Sequence, residues 1–267
     1  MSILDKIIAK KAERLLEQKN MFSLSEIKKA AAAVSCRNFE SAVRRADGDS
    51  IKLIAEIKHA SPSEGIIRRD FNLKDIAQTY EKCRVNAVSI LTEEDFFNGR
   101  LSYIEVAKEI LTCPILRKDF IFDEYQIYES RAFKADAVLL IAAALTQDQA
   151  YRLMSIAAEC SLHVLFEVHN LKELDMALKL DCAIIGINNR DLANMTIDVN
   201  TTLNLAKEIP DNKIVISESG IKSRGECLML QNAGVDAILV GTSFMKSGDI
   251  ASTINSLKGL SIKDEGG

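Results

Sequence analysis

The chain has 267 residues, 48% hydrophobic and 27% charged, with 34 Lys and Arg against 38 Asp and Glu. That balance excludes a disordered chain and a nucleic-acid binder driven by bulk positive charge, because no basic surplus exists to neutralise phosphates. The six cysteines (Cys36, Cys83, Cys113, Cys160, Cys182, Cys227) form no C-x-x-C pair and the three histidines (His59, His163, His169) are scattered, so no metal site or disulfide framework is expected, and the thiols read as small buried hydrophobes of a cytoplasmic protein.

The chain opens with two expected helices, residues 1–18 and 24–34, the second capped by Ser23 or Ser25. Charges interrupt every apolar run there, so neither a signal peptide nor a membrane span is expected. Eight short apolar, β-branched runs follow: 51–58, 87–92, 114–120, 137–142, 163–168, 183–188, 213–218 and 237–241. Several are apolar at nearly every position, as in parallel strands covered on both faces. Between and after them, amphipathic stretches predict helices at 73–83, 103–111, 124–133, 146–160, 171–180, 201–208, 223–232 and 249–257. Asp123 and Asn170 read as N-caps, and Gly234 follows the 223–232 helix. Strand and helix alternating eight times predict a parallel sheet, closed into a (β/α)8 TIM barrel. An open doubly wound sheet is the alternative, but no G-x-G-x-x-G follows a strand. The expectation is a single domain over 1–267, with 1–50 a helical extension that caps one end of the barrel or plugs its bottom, and 51–260 the barrel.

Barrel active sites sit at the C-terminal ends of the strands. The first strand ends in Glu56 and Lys58, which are two apart and share a face. The third carries Lys118, the fifth ends in Glu167 and His169, the sixth in Asn188, Asn189 and Arg190, and the seventh in Glu218. Lysines are rarely buried unless paired. Lys58 and Lys118 among Glu56, Glu167 and Glu218 therefore predict a partly dry acid–base centre; a solvated rim of structural ion pairs is the competing reading. Ser219-Gly220 and Gly241-Thr242 end the seventh and eighth strands, where these barrels commonly hold a phosphate with the help of a short extra helix. Plain turns are the competing reading. Phe97, Phe120, Leu139 and Leu192 near the same end suggest a slot for a ring, although Phe120 and Leu139 also fit ordinary core.

Six segments resemble indole-3-glycerol phosphate synthases: AEIKHASPSEG (55–65), LTEEDFFNG (91–99), LRKDFIFDEYQIY (116–128), GINNRDL (186–192), SESGI (217–221) and VGTSFM (240–245). The resemblance spans nearly the whole chain. It implies conversion of 1-(2-carboxyphenylamino)-1-deoxyribulose 5-phosphate to indole-3-glycerol phosphate, carbon dioxide and water, with no cofactor or metal. It implies Lys118 as general acid for ring closure, and Lys58 and Glu167 in dehydration with their roles left open. Glu56, Asn188 and Glu218 match residues that orient lysines and substrate hydroxyls. Arg190 matches the substrate's carboxylate side, and Ser61, Ser219, Gly220, Gly241 and Thr242 match substrate contacts, the last four mainly around phosphate. The loop 60–65 is expected to close over the ligand. His59 and Glu64 stand where the family usually has a basic residue; His59 reads as a solvent-exposed spectator. The expected partner is one phosphorylated small molecule, bound by a monomer associating at most with other tryptophan-pathway enzymes. A Schiff-base aldolase using Lys118, a silent sugar-phosphate-binding barrel and a phosphoribosylanthranilate isomerase are the alternatives; no strand-end cysteine serves the last.

Overall fold

A computed structural model describes residues 2–191 and 195–260. Its eight barrel strands are β1 (Lys52–Ile57), β2 (Ala87–Leu91), β3 (Ile115–Lys118), β4 (Ala137–Ile141), β5 (His163–Val168), β6 (Ile184–Asn188), β7 (Ile214–Glu218) and β8 (Ala237–Val240). Each pairs in parallel with its chain neighbours, and β1 pairs with both β2 and β8. The ring is closed, so the doubly wound alternative is excluded.

Two-residue alternation sorts the strand side chains into an inner and an outer set. Ile54, Ala87, Leu116, Ala137, Leu165, Ile184, Ile216 and Ala237 belong to the inner core. Ile57, Val88, Ile90, Val138, Leu140, Phe166 and Ile187 belong to the outer core under the helices. The inner rows explain the chemistry above them. Glu56 follows Ile54 by two residues, Lys118 follows Leu116, Glu167 follows Leu165 and Glu218 follows Ile216. Apolar layers thus fill the barrel, and a layer of charge lies on top of them at the C-terminal end.

The extension contributes three helices: α1 (Ile3–Met21), α2 (Leu24–Ala32) and α3 (Phe39–Val43). Ser2 and Ser23 cap the first two, each with a capping box closed by Asp5 or Glu26. The two expectations for this segment apply to different helices. Helix α1 lies at the C-terminal end of the strands, where buried Lys11 sits 3.0 Å from Glu94 and 2.9 Å from Asp119. Helix α3, which the sequence pattern did not suggest, closes the opposite end. Its Phe39 and Val43 are fully buried against the inner core. The backbone N–H groups of Arg37 and Arg45 donate to Asp136 (2.7 Å) and Asp236 (3.0 Å), the residues just before β4 and β8. The segment expected as a plain loop after β1 forms a small hairpin, Ala60–Ser61 against Gly65–Ile66.

Candidate active site

The charged layer is compact. The Lys118 ammonium lies 3.1 Å from Glu167 Oε2 and in close contact with Glu218 Oε2. Lys58 Nζ pairs with Glu56 Oε1 at 2.7 Å. Burial pulls the Lys118 ammonium down, but Glu218, Glu167 and Glu56 together outweigh it and hold Lys118 above the ordinary lysine range. Burial favours a neutral Glu167, yet Lys118 and His169 hold it well below the usual carboxylate range. Glu218 goes the other way. Burial, reinforced by its neighbouring carboxylates, prevails over Lys118 and pushes it up to about 7. Two carboxylates of one chemical type, Glu167 and Glu218, are therefore shifted in opposite directions by their surroundings.

Two glycines make room for this layer. A Cβ on Gly186 would lie 2.4 Å from Glu218 Oε1, and one on Gly241 would lie 2.4 Å from Glu56 Oε1. Gly241, the expected phosphate contact, also leaves the space taken by the carboxylate that holds Lys58. At the end of β7, Ser219 and Gly220 both take left-handed backbone (φ +68° and +84°). A non-glycine residue there is unusual. Asn188 Oδ1 accepts from Ser219 Oγ at 2.8 Å and from the Arg190 N–H at 3.0 Å, so Asn188 ties the β6 and β7 loops together. The short helix Thr242–Lys246 begins directly after Gly241.

A cavity of about 470 Å³ opens above the charged layer. Glu56, Lys58, Lys118, Glu167, Asn188 and Glu218 form its floor, and Ser61, Arg190, Ser219, Gly220, Gly241 and Thr242 its polar rim. Phe97, Phe120 and Leu139 line the apolar side, with the Phe97 and Phe120 rings 6.1 Å apart. Leu139 serves in both places, since it is also inner core. Every sequence-predicted site residue borders this one cavity except Leu192, which lies outside the described residues. Sequence reasoning missed Ile3, Leu4 and Ile7 of α1, which complete the apolar wall. Their helical spacing was visible, but nothing in it said which end of the barrel the helix covers. His59 is corrected: it is half-buried and stacks on Phe71 with ring centroids 4.8 Å apart, at the base of the hairpin. Glu64 pairs with Lys246 across the cavity mouth.

The residues flanking Lys118 anchor the strand. Arg117 and Asp119 join a buried network behind the strand, although Asp119 also borders the cavity. Arg117 reaches Asp119 (3.0 Å) and Glu129 (2.9 Å), and Thr92 Oγ1 donates to Asp119 (2.6 Å). Fixing both neighbours restricts the Lys118 backbone. Among the described residues no three His, Cys, Asp or Glu side chains gather to hold a metal ion, and no helix is long and apolar enough to cross a membrane.

A closed barrel whose mouth joins a buried ammonium–carboxylate layer to a polar rim and an apolar wall defines an acid–base enzyme acting on a small molecule with one polar and one flat apolar end. The comparisons narrow the class. The family model for indole-3-glycerol phosphate synthase matches residues 4–257. The indole-3-glycerol phosphate synthase of Alkaliphilus metalliredigens (strain QYMF) is 46% identical, covering 96% of this chain and 98% of its own. That of Caldanaerobacter subterraneus subsp. tengcongensis is 48% identical over 91% of this chain and 93% of its own. The chain belongs to the indole-3-glycerol phosphate synthase family. Among solved structures, 3-hexulose-6-phosphate synthase from Salmonella typhimurium matches with a TM-score of 0.63 at 12% identity, covering 78% of this chain and 97% of that one; this likeness concerns the fold alone.

Proposed function

We propose that this single-domain enzyme closes, decarboxylates and dehydrates 1-(2-carboxyphenylamino)-1-deoxyribulose 5-phosphate to indole-3-glycerol phosphate, as a lyase of tryptophan biosynthesis. The observation that carries the reading is the Lys118 ammonium, held between Glu167 and Glu218 on the floor of a cavity with one apolar and one polar side. The ring of the substrate takes the wall of Phe97, Phe120, Leu139 and the α1 residues. The phosphate takes the rim of Ser219, Gly220, Gly241 and Thr242, and Arg190 faces the carboxylate. Binding at both ends bends the sugar chain so that the ring carbon meets the ketone.

In ring closure the ring carbon forms a bond to the ketone carbon, and Lys118 gives its proton to the oxygen that gains charge. Carbon dioxide then leaves from the ring. In dehydration the new hydroxyl departs as water with a proton from Lys58, and Glu167 takes the ring-system proton. Ionisation supports this division: a carboxyl held well below its usual range has no proton to give at neutral pH. A Schiff-base role for Lys118 needs a neutral amine, which the flanking carboxylates oppose.

The test is direct. Purified protein given the carboxyphenylamino sugar phosphate generates indole fluorescence, and Lys118→Ala removes it by roughly 10²-fold or more while circular dichroism stays unchanged. Undiminished turnover in that variant would remove Lys118 from the mechanism. A cytoplasmic monomer that associates at most with other tryptophan-pathway enzymes completes the proposal, and gel filtration tests the monomer.

A further inference from the structure

Glu167 uses both of its oxygens. Oε2 faces Lys118 at 3.1 Å, and Oε1 lies 3.3 Å from His169 Nε2. His169 is itself held from behind. Its Nδ1 lies 2.9 Å from Glu173 Oε2, and its backbone N–H donates to the same oxygen at 2.8 Å. Glu173 in turn accepts from Asn170 Nδ2 at 2.7 Å, and its own N–H donates to Asn170 Oδ1 at 3.0 Å. Asn170 is the N-cap of the helix Leu171–Lys179. The imidazole thus sits between two carboxylates, hydrogen-bonded to Glu173 at the start of a helix and within ion-pair distance of Glu167, and only Glu167 borders the reaction cavity.

We propose that His169 is a positioning residue, which fixes the Glu167 carboxylate for proton abstraction. The inference rests on the reading of Glu167 as the base. Its logic is that of a carboxylate–imidazole pair in which the second carboxylate orients the ring and favours its charged form. Lys118 alone cannot do this. Lys118 gives a proton away during ring closure, and at that moment its help to Glu167 is lost. His169 stands outside the reacting centre and retains its charge through that step. The other charged groups around the pair are Glu218 on β7 and, beyond Lys118, Glu56 on β1. On its far side His169 borders a second, polar cavity together with Asn189, Asp191 and Asp198, so the imidazole meets polar surroundings without crossing the substrate.

Three variants test the proposal on the full chain. Glu167→Gln is assayed first; if it keeps wild-type turnover, the base assignment and this inference both fail. With turnover lost there, His169→Asn is decisive, because Asn can still reach Glu173 but not Glu167. The expected result is a kcat lower by about tenfold, a fraction of the roughly 10²–10⁴-fold that a positioned acid–base group supplies, with KM little changed. The acid limb of kcat/KM moves up by about one pH unit, since removing a cation makes Glu167 easier to protonate. An unchanged kcat and pH profile overturns the inference and leaves Glu167 as base. If His169→Asn does not fold, Glu173→Gln replaces it. It retains an acceptor for the helix start but removes the charge behind the imidazole, and the acid limb should move in the same direction by less; an unmoved limb overturns the inference equally.

Discussion

A Cβ on Gly186 would sit 2.4 Å from Glu218 Oε1 and 3.0 Å from Leu165 Cδ1. Both neighbours are buried, and Glu218 is held on its other oxygen by Lys118. Gly186→Ala therefore has to displace the carboxylate that holds the ammonium. The expected outcome is a stability loss of about 1–3 kcal/mol, the usual cost of overpacking, together with a fall in kcat larger than any rise in KM. Thermal melting and steady-state kinetics check it; wild-type kcat with a lowered melting temperature would separate Glu218 placement from catalysis. At this scale the sequence was informative for a simple reason. Charged residues cannot follow apolar ones at a two-residue period along a buried strand unless they form a layer, and that arithmetic places Glu56, Lys118, Glu167 and Glu218 together. It is blind to absent side chains. Nothing in the string GIN identifies Gly186 as the space into which Glu218 fits.

Helix α1 shows how one element serves both stability and site. Its apolar residues Ile3, Leu4 and Ile7 border the cavity, and Lys11, one turn further, is bound to Asp119, next to Lys118 at the end of β3. Burial lowers the tendency of Lys11 to stay charged, and Asp119 more than restores it. Burial would likewise raise Asp119, but Lys11 and Arg117 bring it down to about 2. A carboxyl with a depressed folded pKa contributes stability that is present above its unfolded value of 3.8 and lost as pH falls through about 2. Lys11→Met keeps the stem and removes the charge, leaving Asp119 to Arg117 and Thr92. We expect KM to rise several-fold as α1 loosens from the wall, and stability to fall by about 1–3 kcal/mol at neutral pH, with the deficit shrinking toward pH 2. Substrate titration and urea unfolding at pH 7 and pH 3 measure the two effects. Equal KM would mean that α1 stays seated without its buried ion pair. Element existence and order were legible because each helix carries its own caps and stripe. The turns that return helix to strand were less so. Arg84, Lys134, Ser161 and Asp181 take left-handed backbone (φ +50° to +69°) where only Gly234 advertised it. In each the next N–H donates back to a carbonyl in the last helical turn, as Val85 does to Tyr80 and Leu162 to Ala157, so hydrogen bonding rather than glycine sets the turn.

Over the whole molecule, stability and chemistry are drawn to opposite ends of the barrel. The N-terminal end carries α3, with Phe39 and Val43 at 0% exposure against the first inner layer. Asp136 and Asp236 each use two oxygens there. One accepts from the extension, at Arg37 or Arg45, and the other from a neighbouring strand, at Ile115 (2.7 Å) or Val215 (2.9 Å). The short α3 was not legible because five residues carry too little periodicity to register, and its burial depends on a barrel that the sequence places only later. Between this plug and the charged layer lie the inner apolar side chains, so a defect at the plug does not reach Lys118 or Glu167 by contact. Phe39→Ala should therefore cost about 3–5 kcal/mol through the lost ring and the cavity left behind, while kcat and KM at 25 °C stay near wild type. The matched change at the other end, Phe120→Ala, removes a ring that borders the substrate cavity and should raise KM with a smaller stability loss, since Phe120 is only half-buried. Melting temperature plotted against kcat/KM for the two variants gives opposite corners of one graph. If Phe39→Ala depressed kcat/KM as strongly as Phe120→Ala, the inner layers would be transmitting strain along the barrel axis, and the division between the two ends would be wrong.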